Sequence, residues 1–233
     1  NTLHNWCTKW RLSVNSNKTQ IMHFRKNTSP ETNFNFKYGE MTLDKAKEYR
    51  YLGLTLDCYM NYTTTVQALI NASSRALGML TSRFYAINGL HYDTYKKLFD
   101  STVIPVMSYG AGIWGCKRYP KCDTVQHRSM RTFMGVGKPT PIAGLYGEMA
   151  WFPPYIHHAM EVTRLWLRMH KMAEDRLTNK IFMTDQHLRG SLSWASIAKK
   201  LLDKCNINSH EYGNEQSVIP KVKNALETEF TAK

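Results

Sequence analysis

The hydrophobic period of the chain changes once, after Asp57, and that change limits the folds it can reach. Up to that point apolar residues alternate with polar ones, the period-2 pattern of half-buried strands. Beyond it they recur every three to four residues, the pattern of amphipathic helices. A chain of 233 residues with this order is expected to be α+β and mainly α, with a small antiparallel sheet followed by helices.

Residues 48–57, EYRYLGLTLD, give the strongest strand signal. Tyr49, Tyr51, Gly53 and Thr55 alternate with Leu52, Leu54 and Leu56, so the leucines are expected to face a core and the tyrosines and Thr55 to face outward. Gly53 leaves a gap on that outward face where another backbone or a ligand can come close. A bulge or packing glycine in an ordinary hairpin is the other reading, and isolated strand glycines usually serve geometry. Residues 19–24 and 34–38 also read as strands, the latter turned at Gly39-Glu40 into residues 41–43. The polar turn at residues 15–18 leads into the first of them. Before it, Leu3, Trp6 and Trp10 lie beside Cys7 at spacings of three and four over residues 1–12, an amphipathic helix. Because the chain opens without methionine and already in a helix, it is expected to be cut from something longer.

After Asp57 the stripe Val66, Leu69, Ile70, Ser73, Leu77, Leu80 and Phe84 predicts a long helix, with Asn61, Thr63 or Thr64 to cap it and Asn88-Gly89 to stop it. A second helix from about Tyr92 is expected to break at Pro105. Residues 106–115 are small and apolar on most sides, which predicts burial in close helix contact. Residues 119–134 form a third helix with Val125, Met130 and Phe133 inward and Lys121, Arg128 and Arg131 outward. Residues 135–154 are rich in glycine and proline and read as a linker or extended loop. Another amphipathic helix follows, carrying Tyr155, Ala159, Val162, Trp166 and Met169 on one face, and shorter helical patterns lie at residues 194–202 and 218–230. His157-His158 reads as a partly exposed helix start. The domain division expected from these patterns is 1–60, 61–134, 135–154 and 155–233.

Charge narrows the partners. Lys and Arg number 31 against 18 Asp and Glu, a net +13. Such an excess costs self-repulsion in the folded state and points to a polyanion, nucleic acid or an acidic membrane surface. No apolar run approaches the length of a spanning helix and no signal peptide opens the chain, so no membrane partner is expected. Five scattered cysteines, an odd number, argue against a disulfide framework and for a reducing compartment; the expected location is intracellular, in cytoplasm and nucleus.

Three blocks in order go beyond composition: W-x3-W-x-L-x-V-N-x2-K-T-Q-x-M-x-F over residues 6–24, Y-L-G-L-x-L-D over 51–57, and P-V-M-S-Y-G-A-x2-W-G over 105–115 with Gln126, Arg128, Arg131, Thr140-Pro141 and Gly147-Glu148 after it. Over about residues 1–175 this resembles the C-terminal part of the reverse transcriptase of non-LTR (LINE-type, jockey-like) retrotransposons. The resemblance implies a palm remnant over 1–60, a thumb-like bundle over 61–134 and a C-terminal helical region after the linker. It makes Lys18 the matching position for a general acid toward departing pyrophosphate; a lysine that merely solvates its turn fits the sequence equally. Tyr51, Leu52 and Gly53 match the primer grip, the hairpin whose backbone holds the 3′ end of the growing strand. In the thumb, Arg75, Arg83, Lys96 and Lys97, with Arg128 and Arg131 on the third helix, are candidate phosphate contacts, although for any one of them a solvating role is the simpler reading. The implied partners are RNA, DNA or RNA/DNA hybrid, and the upstream part of the same polyprotein.

One departure decides the mechanism. Reverse transcription needs paired carboxylates to hold the metal ions of phosphoryl transfer, and the chain contains no Asp-Asp pair. The pair and its magnesium ions are expected upstream of Asn1, so this chain carries no cofactor and is not expected to polymerise alone. The alternative from another class is a non-enzymatic nucleic-acid-binding or interaction protein derived from a retroelement. Cys116, Cys122 and His127 have a C-x5-C-x4-H spacing, and Cys205 and His210 a C-x4-H spacing; both are weak for zinc, whose structural sites favour tighter cysteine pairs and a fourth ligand, and no metal site is expected.

Overall fold

A computed structural model describes residues 2–15, 18–187 and 193–232. The chain divides into two compact units, Asn1–Gln67 and Ala68–Lys233, and is α+β, mainly α. The first boundary thus falls at residue 67 instead of 60, inside a helix, and residues 68–233 form one unit instead of three segments. Of the expected turn at 15–18, Ser16 and Asn17 lie outside the described residues, as do 188–192 and 233 of the expected C-terminal region.

The first unit opens with α1 (Thr2–Lys9). Its strands make three separate two-stranded pairings instead of one antiparallel sheet. β1 (Gln20–Ile21) pairs in parallel with β4 (Asp44–Lys45), while β2 (Lys37–Tyr38) pairs antiparallel with β3 (Met41–Thr42) across a turn at Gly39 with φ +59°. The longer strands expected at 19–24 and 34–38 shrink to two residues each. Phe24 and Phe34 are exposed, so neither end of those patterns has an apolar face to bury, and pairing stops where burial does.

The 48–57 stretch is a hairpin, β5 (Glu48–Tyr51) and β6 (Leu54–Asp57), and not one straight strand. Leu52 and Gly53 form its two-residue turn, both at positive φ (+47° and +85°), the backbone signature of the turns that match strand twist. The reversal also resets the alternation. Tyr49 lies opposite Leu56 and Tyr51 opposite Leu54, and directly opposed residues share a face. Tyrosines and leucines therefore stand on the same side, against the expected segregation, and Leu52 is 72% exposed at the tip. Leu54, Cys58, Cys7 and Val66 are the buried apolar residues of this unit. Thr65 joins them: its hydroxyl donates to the Thr55 carbonyl and accepts from the Thr55 amide. On α1, Cys7 is buried, whereas Leu3, Trp6 and Trp10 are exposed, so the expected apolar stripe is the outer face.

Helix α2 (Thr63–Ala86) follows the predicted stripe closely. Val66, Leu69, Ile70, Ser73, Leu77 and Leu80 are all buried. The side chain of Asn61 accepts from the amide and hydroxyl of Thr63 at the start, and Asn88 and Gly89, both at positive φ, end it as the Gly89 amide donates to the Phe84 carbonyl.

In the second unit α3 (Tyr92–Thr102) gives way at Val103 to α4 (Ile104–Met107), where Pro105 sits in the first turn. Then come α5 (Ala111–Trp114), α6 (Pro120–Met134), α7 (Ile142–Met149) and α8 (Pro154–His170). The last are α9 (Leu177–His187), α10 (Trp194–Lys204) and α11 (Glu215–Thr231). An aromatic cluster of Phe84, Tyr92, Tyr95 and Phe133 ties α2, α3 and α6 together. A second core gathers around Trp166 of α8, whose ring meets the edges of Phe182 and Tyr212. Residues 135–154 are no linker: they hold α7, and Leu145, Met149 and Trp151 are buried, the last stacked on Phe99 at 4.6 Å.

The small-residue segment packs as tightly as its composition predicts. A Cβ placed on Gly112 would lie 3.2 Å from the Glu161 carbonyl oxygen, and one on Gly115 would lie 2.9 Å from the His158 Cβ. Only glycine lets α5 and α8 approach this far. His158 is the cost of that contact: it is 1% exposed, against the expected partly exposed helix start, with its ring 4.6 Å from that of Trp114. Neither ring nitrogen has a partner among the described residues. Burial, with His157 adjacent, holds its pKa down at about 3, and burial also lowers His157 and His127.

All five cysteines are free thiols, four of them buried and Cys116 half-buried. Burial pushes Cys116 up to about 11 and Cys122 up to about 12, and raises Cys205.

Two stability predictions follow from the α5–α8 contact. Gly115→Ala overpacks it and is expected to cost roughly 1–3 kcal/mol in urea unfolding, whereas Gly78→Ala, where a Cβ meets nothing, should not destabilise. These histidines bind protons more weakly folded than unfolded, so the stability they contribute is complete above about pH 6.5 and is lost as pH falls, for His158 down to about 3. His158→Leu removes part of that slope and is expected to be better tolerated at pH 5 than at pH 7 relative to wild type, as read from melting temperatures.

Candidate nucleic-acid interface

The basic residues expected to contact phosphate separate into two groups once their surroundings are known. Arg75 and Arg83 project from α2 as exposed side chains, and Lys97 is exposed on α3. Among the described residues no carboxylate pairs with any of them. Arg128 of α6 donates to the Ser74 carbonyl at 3.1 Å, which brings a third guanidinium beside the α2 turn that carries Arg75. These four cations keep their charge open to solvent.

Lys96 and Arg131 are occupied. Lys96 pairs with Asp100 at 2.6 Å one helical turn on and lies over the Trp151 ring. Arg131 is half-buried, against its expected outward position, and donates from Nη2 to the Thr140 carbonyl at 3.2 Å. That bond holds the 135–141 connection onto α6. A lysine spaced i,i+4 from an aspartate was legible as a helix pair; the Arg131 contact was not, because Thr140 reaches it only through the fold.

In the first unit, the Tyr51-Leu52-Gly53 tip is exposed. Lys18 is exposed too. Its amide donates to the Asn15 carbonyl and side chain, and its carbonyl accepts from the Tyr49 hydroxyl at 3.5 Å. No acidic group is paired with the Lys18 ammonium among the described residues.

Sequence reasoning missed a cleft of about 780 Å³ in the second unit, formed by α6, α7, residues 150–152 and the end of α11. Its polar side holds Asp123, paired with Arg118 at 2.8 Å, and His127, bonded through Nε2 to the Tyr146 hydroxyl at 3.0 Å. Burial lowers the His127 pKa and raises that of Tyr146, so the imidazole is neutral and the phenol protonated at pH 7. Asp123 and His127 are spaced i,i+4 on α6, which the sequence does show; Arg118 and Tyr146 join them from other elements.

Among the described residues no group of three or more His, Cys, Asp or Glu side chains is placed to hold a metal. Cys116, Cys122 and His127 do not form a ligand set. No helix there is long and apolar enough to cross a membrane.

No protein-family model matches the chain, and no solved structure does. Over 133 residues, 56% of its length, it is 26% identical to the "Probable RNA-directed DNA polymerase from transposon BS" of Drosophila melanogaster, of which the match covers 15%. Over 115 residues, 46% of its length, it is 25% identical to the uncharacterized transposon-derived protein F52C9.6 of Caenorhabditis elegans, covering 38% of it. The chain spans less than two fifths of the length of either relative. These likenesses support a transposon origin related to reverse transcriptase.

The two groups of cations predict different mutant behaviour. Arg131→Ala releases the 135–141 connection and is expected to cost about 1–2 kcal/mol of stability. Arg75→Ala should stay within about 0.5 kcal/mol of wild type; paired denaturant titrations distinguish the two.

Proposed function

We propose that the chain is the C-terminal part of a reverse transcriptase from a non-LTR retrotransposon, with a palm end, a primer-grip-like hairpin and a thumb, and that it binds template-primer nucleic acid. The observation that carries this reading is the pair Arg75 and Arg83, exposed on one helix without carboxylate partners among the described residues. Eight residues apart, they are separated by about 12 Å along the axis, with Arg128 beside the first. Cations already neutralised by a carboxylate release no counterions on meeting phosphate; open ones do. Lys97 belongs with them, and Lys96 does not.

The contacts are to phosphate and carry no base specificity of their own, in keeping with a polymerase surface that accepts any sequence as RNA, DNA or hybrid duplex. At the Leu52-Gly53 tip the reading is of backbone contact. Gly53 has no side chain, and the exposed turn lets a primer strand approach the main chain. The carboxylates and magnesium ions of polymerisation would come from the upstream part of the same polyprotein, so the chain alone binds without extending a primer.

Binding of a labelled RNA/DNA hybrid duplex over a salt series tests the reading. Affinity should fall steeply with salt, and the Arg75→Ala/Arg83→Ala double variant should bind about tenfold more weakly, with a log–log salt slope shallower by about two. Lys96→Ala should change little. Absence of binding at low salt, or a double variant that matches wild type, would overturn the proposal.

A further inference from the structure

The cleft beside α6 has the makings of a base-recognition site. Its walls are apolar and largely aromatic, with Ile142 and Tyr146 from α7, Phe152, and Phe230 from α11. At its polar end stands Asp123, 6% exposed. Arg118 occupies Oδ2 of that carboxylate, whereas Oδ1 is covered and meets no donor among the described residues. A carboxylate oxygen left in this state costs free energy that a ligand donor would recover. The ligand must therefore be flat and apolar enough for aromatic walls, and must bring hydrogen-bond donors to a carboxylate. In a chain of net charge +13, the flat partner with a polyanionic tail is a nucleobase.

Among the four bases, guanine alone offers two adjacent donors, N1–H and N2–H, on its Watson–Crick edge. Oδ1, covered in this structure, meets one of them when the carboxylate turns toward the base, and Oδ2 keeps a lone pair beyond the one that Arg118 uses. Arg118 is half exposed at the mouth, where it can meet the phosphate that follows the base. We propose that this cleft binds an unpaired guanine base, held by the Asp123 carboxylate and stacked among Tyr146, Phe152 and Phe230. The inference adds a base-reading element to the phosphate-binding surface proposed above, which reads no sequence.

The test uses oligouridines of equal length and charge carrying one central guanosine, adenosine or inosine, with the full chain at fixed salt. The guanosine strand should bind about fivefold tighter than the adenosine strand, and inosine, which lacks the N2 donors, should fall between them. The advantage should vanish in Asp123→Asn, while affinity for plain oligouridine holds. Gly147→Phe provides a second variant: Gly147 lines the cleft and a Cβ there meets nothing within 4 Å, so the ring can fill the space without disturbing the core. It too should abolish the guanosine advantage.

Guanosine and adenosine monophosphates, titrated separately by calorimetry, distinguish this site from the phosphate surface. Guanosine-selective binding lost in both variants supports the cleft even if no RNA binds. Equal binding of all strands and of both nucleotides, or a guanosine preference that survives Asp123→Asn and Gly147→Phe, overturns it.

Discussion

The second unit depends on how closely α5 comes to α8. Two glycines, Gly112 and Gly115, let the helices meet with the main chain of one against side-chain stems of the other. Because α5 has only four residues, it has little hydrogen bonding of its own to hold it, and its place is fixed by what it touches. Through that contact α8 is covered on one side by Trp114 and on the other by the Trp166 core. The polar side chains of α8, Glu161, Arg164 and Arg168, keep contact with solvent, whereas His158 stands against Trp114 and is buried without a partner in the protein among the described residues. Dispersion and apolar burial across the contact outweigh the desolvation of one imidazole, and the imidazole stays neutral as a result.

The same enclosure explains which parts of the molecule could be foreseen. The α2 stripe was legible residue by residue, since a long period of three to four with a capping Asn61 and a terminating Asn88-Gly89 leaves few alternatives. Gly112 and Gly115 were legible as close packing for the same reason that they work: in a segment apolar on most sides, positions without a side chain are where another helix can come near. The alternation over 48–57 was legible as strand but not as a reversal, which only the resemblance to a primer-grip hairpin implied. Leu52-Gly53 is an uncommon turn pair, and a leucine in the left-handed region is placed there by the strands on either side and not by its own preference. α7 was hidden by Gly144, Gly147 and the flanking prolines, which read as breakers; Leu145 and Met149, four residues apart, are what bury it.

The site was legible in part. The excess of positive charge was plain, but charge alone does not say which cations are open. Asp100 beside Lys96 could be read from spacing, whereas the Arg131–Thr140 and Arg128–Ser74 contacts belong to tertiary structure. The cleft was the least visible feature, because its aromatic wall is assembled from residues as far apart as Tyr146, Phe152 and Phe230. The likeness to a transposon polymerase bears on origin and leaves such local features to the side chains themselves.

The cysteines give the fold a chemical memory. Cys7, Cys58, Cys122 and Cys205 are buried and Cys116 half so, and raised thiol pKa values at the last three of the second unit keep them protonated, hence unreactive, at neutral pH. Unfolding returns these three to ordinary acidity and exposes all five sulfurs together. In air the unfolded chain can then cross-link in pairings that the native packing never permits, with one thiol always left over to join another molecule. The folded state is in this sense a protecting group for its own sulfur, and the reducing power of the surroundings decides whether a brief excursion from it is forgotten or recorded.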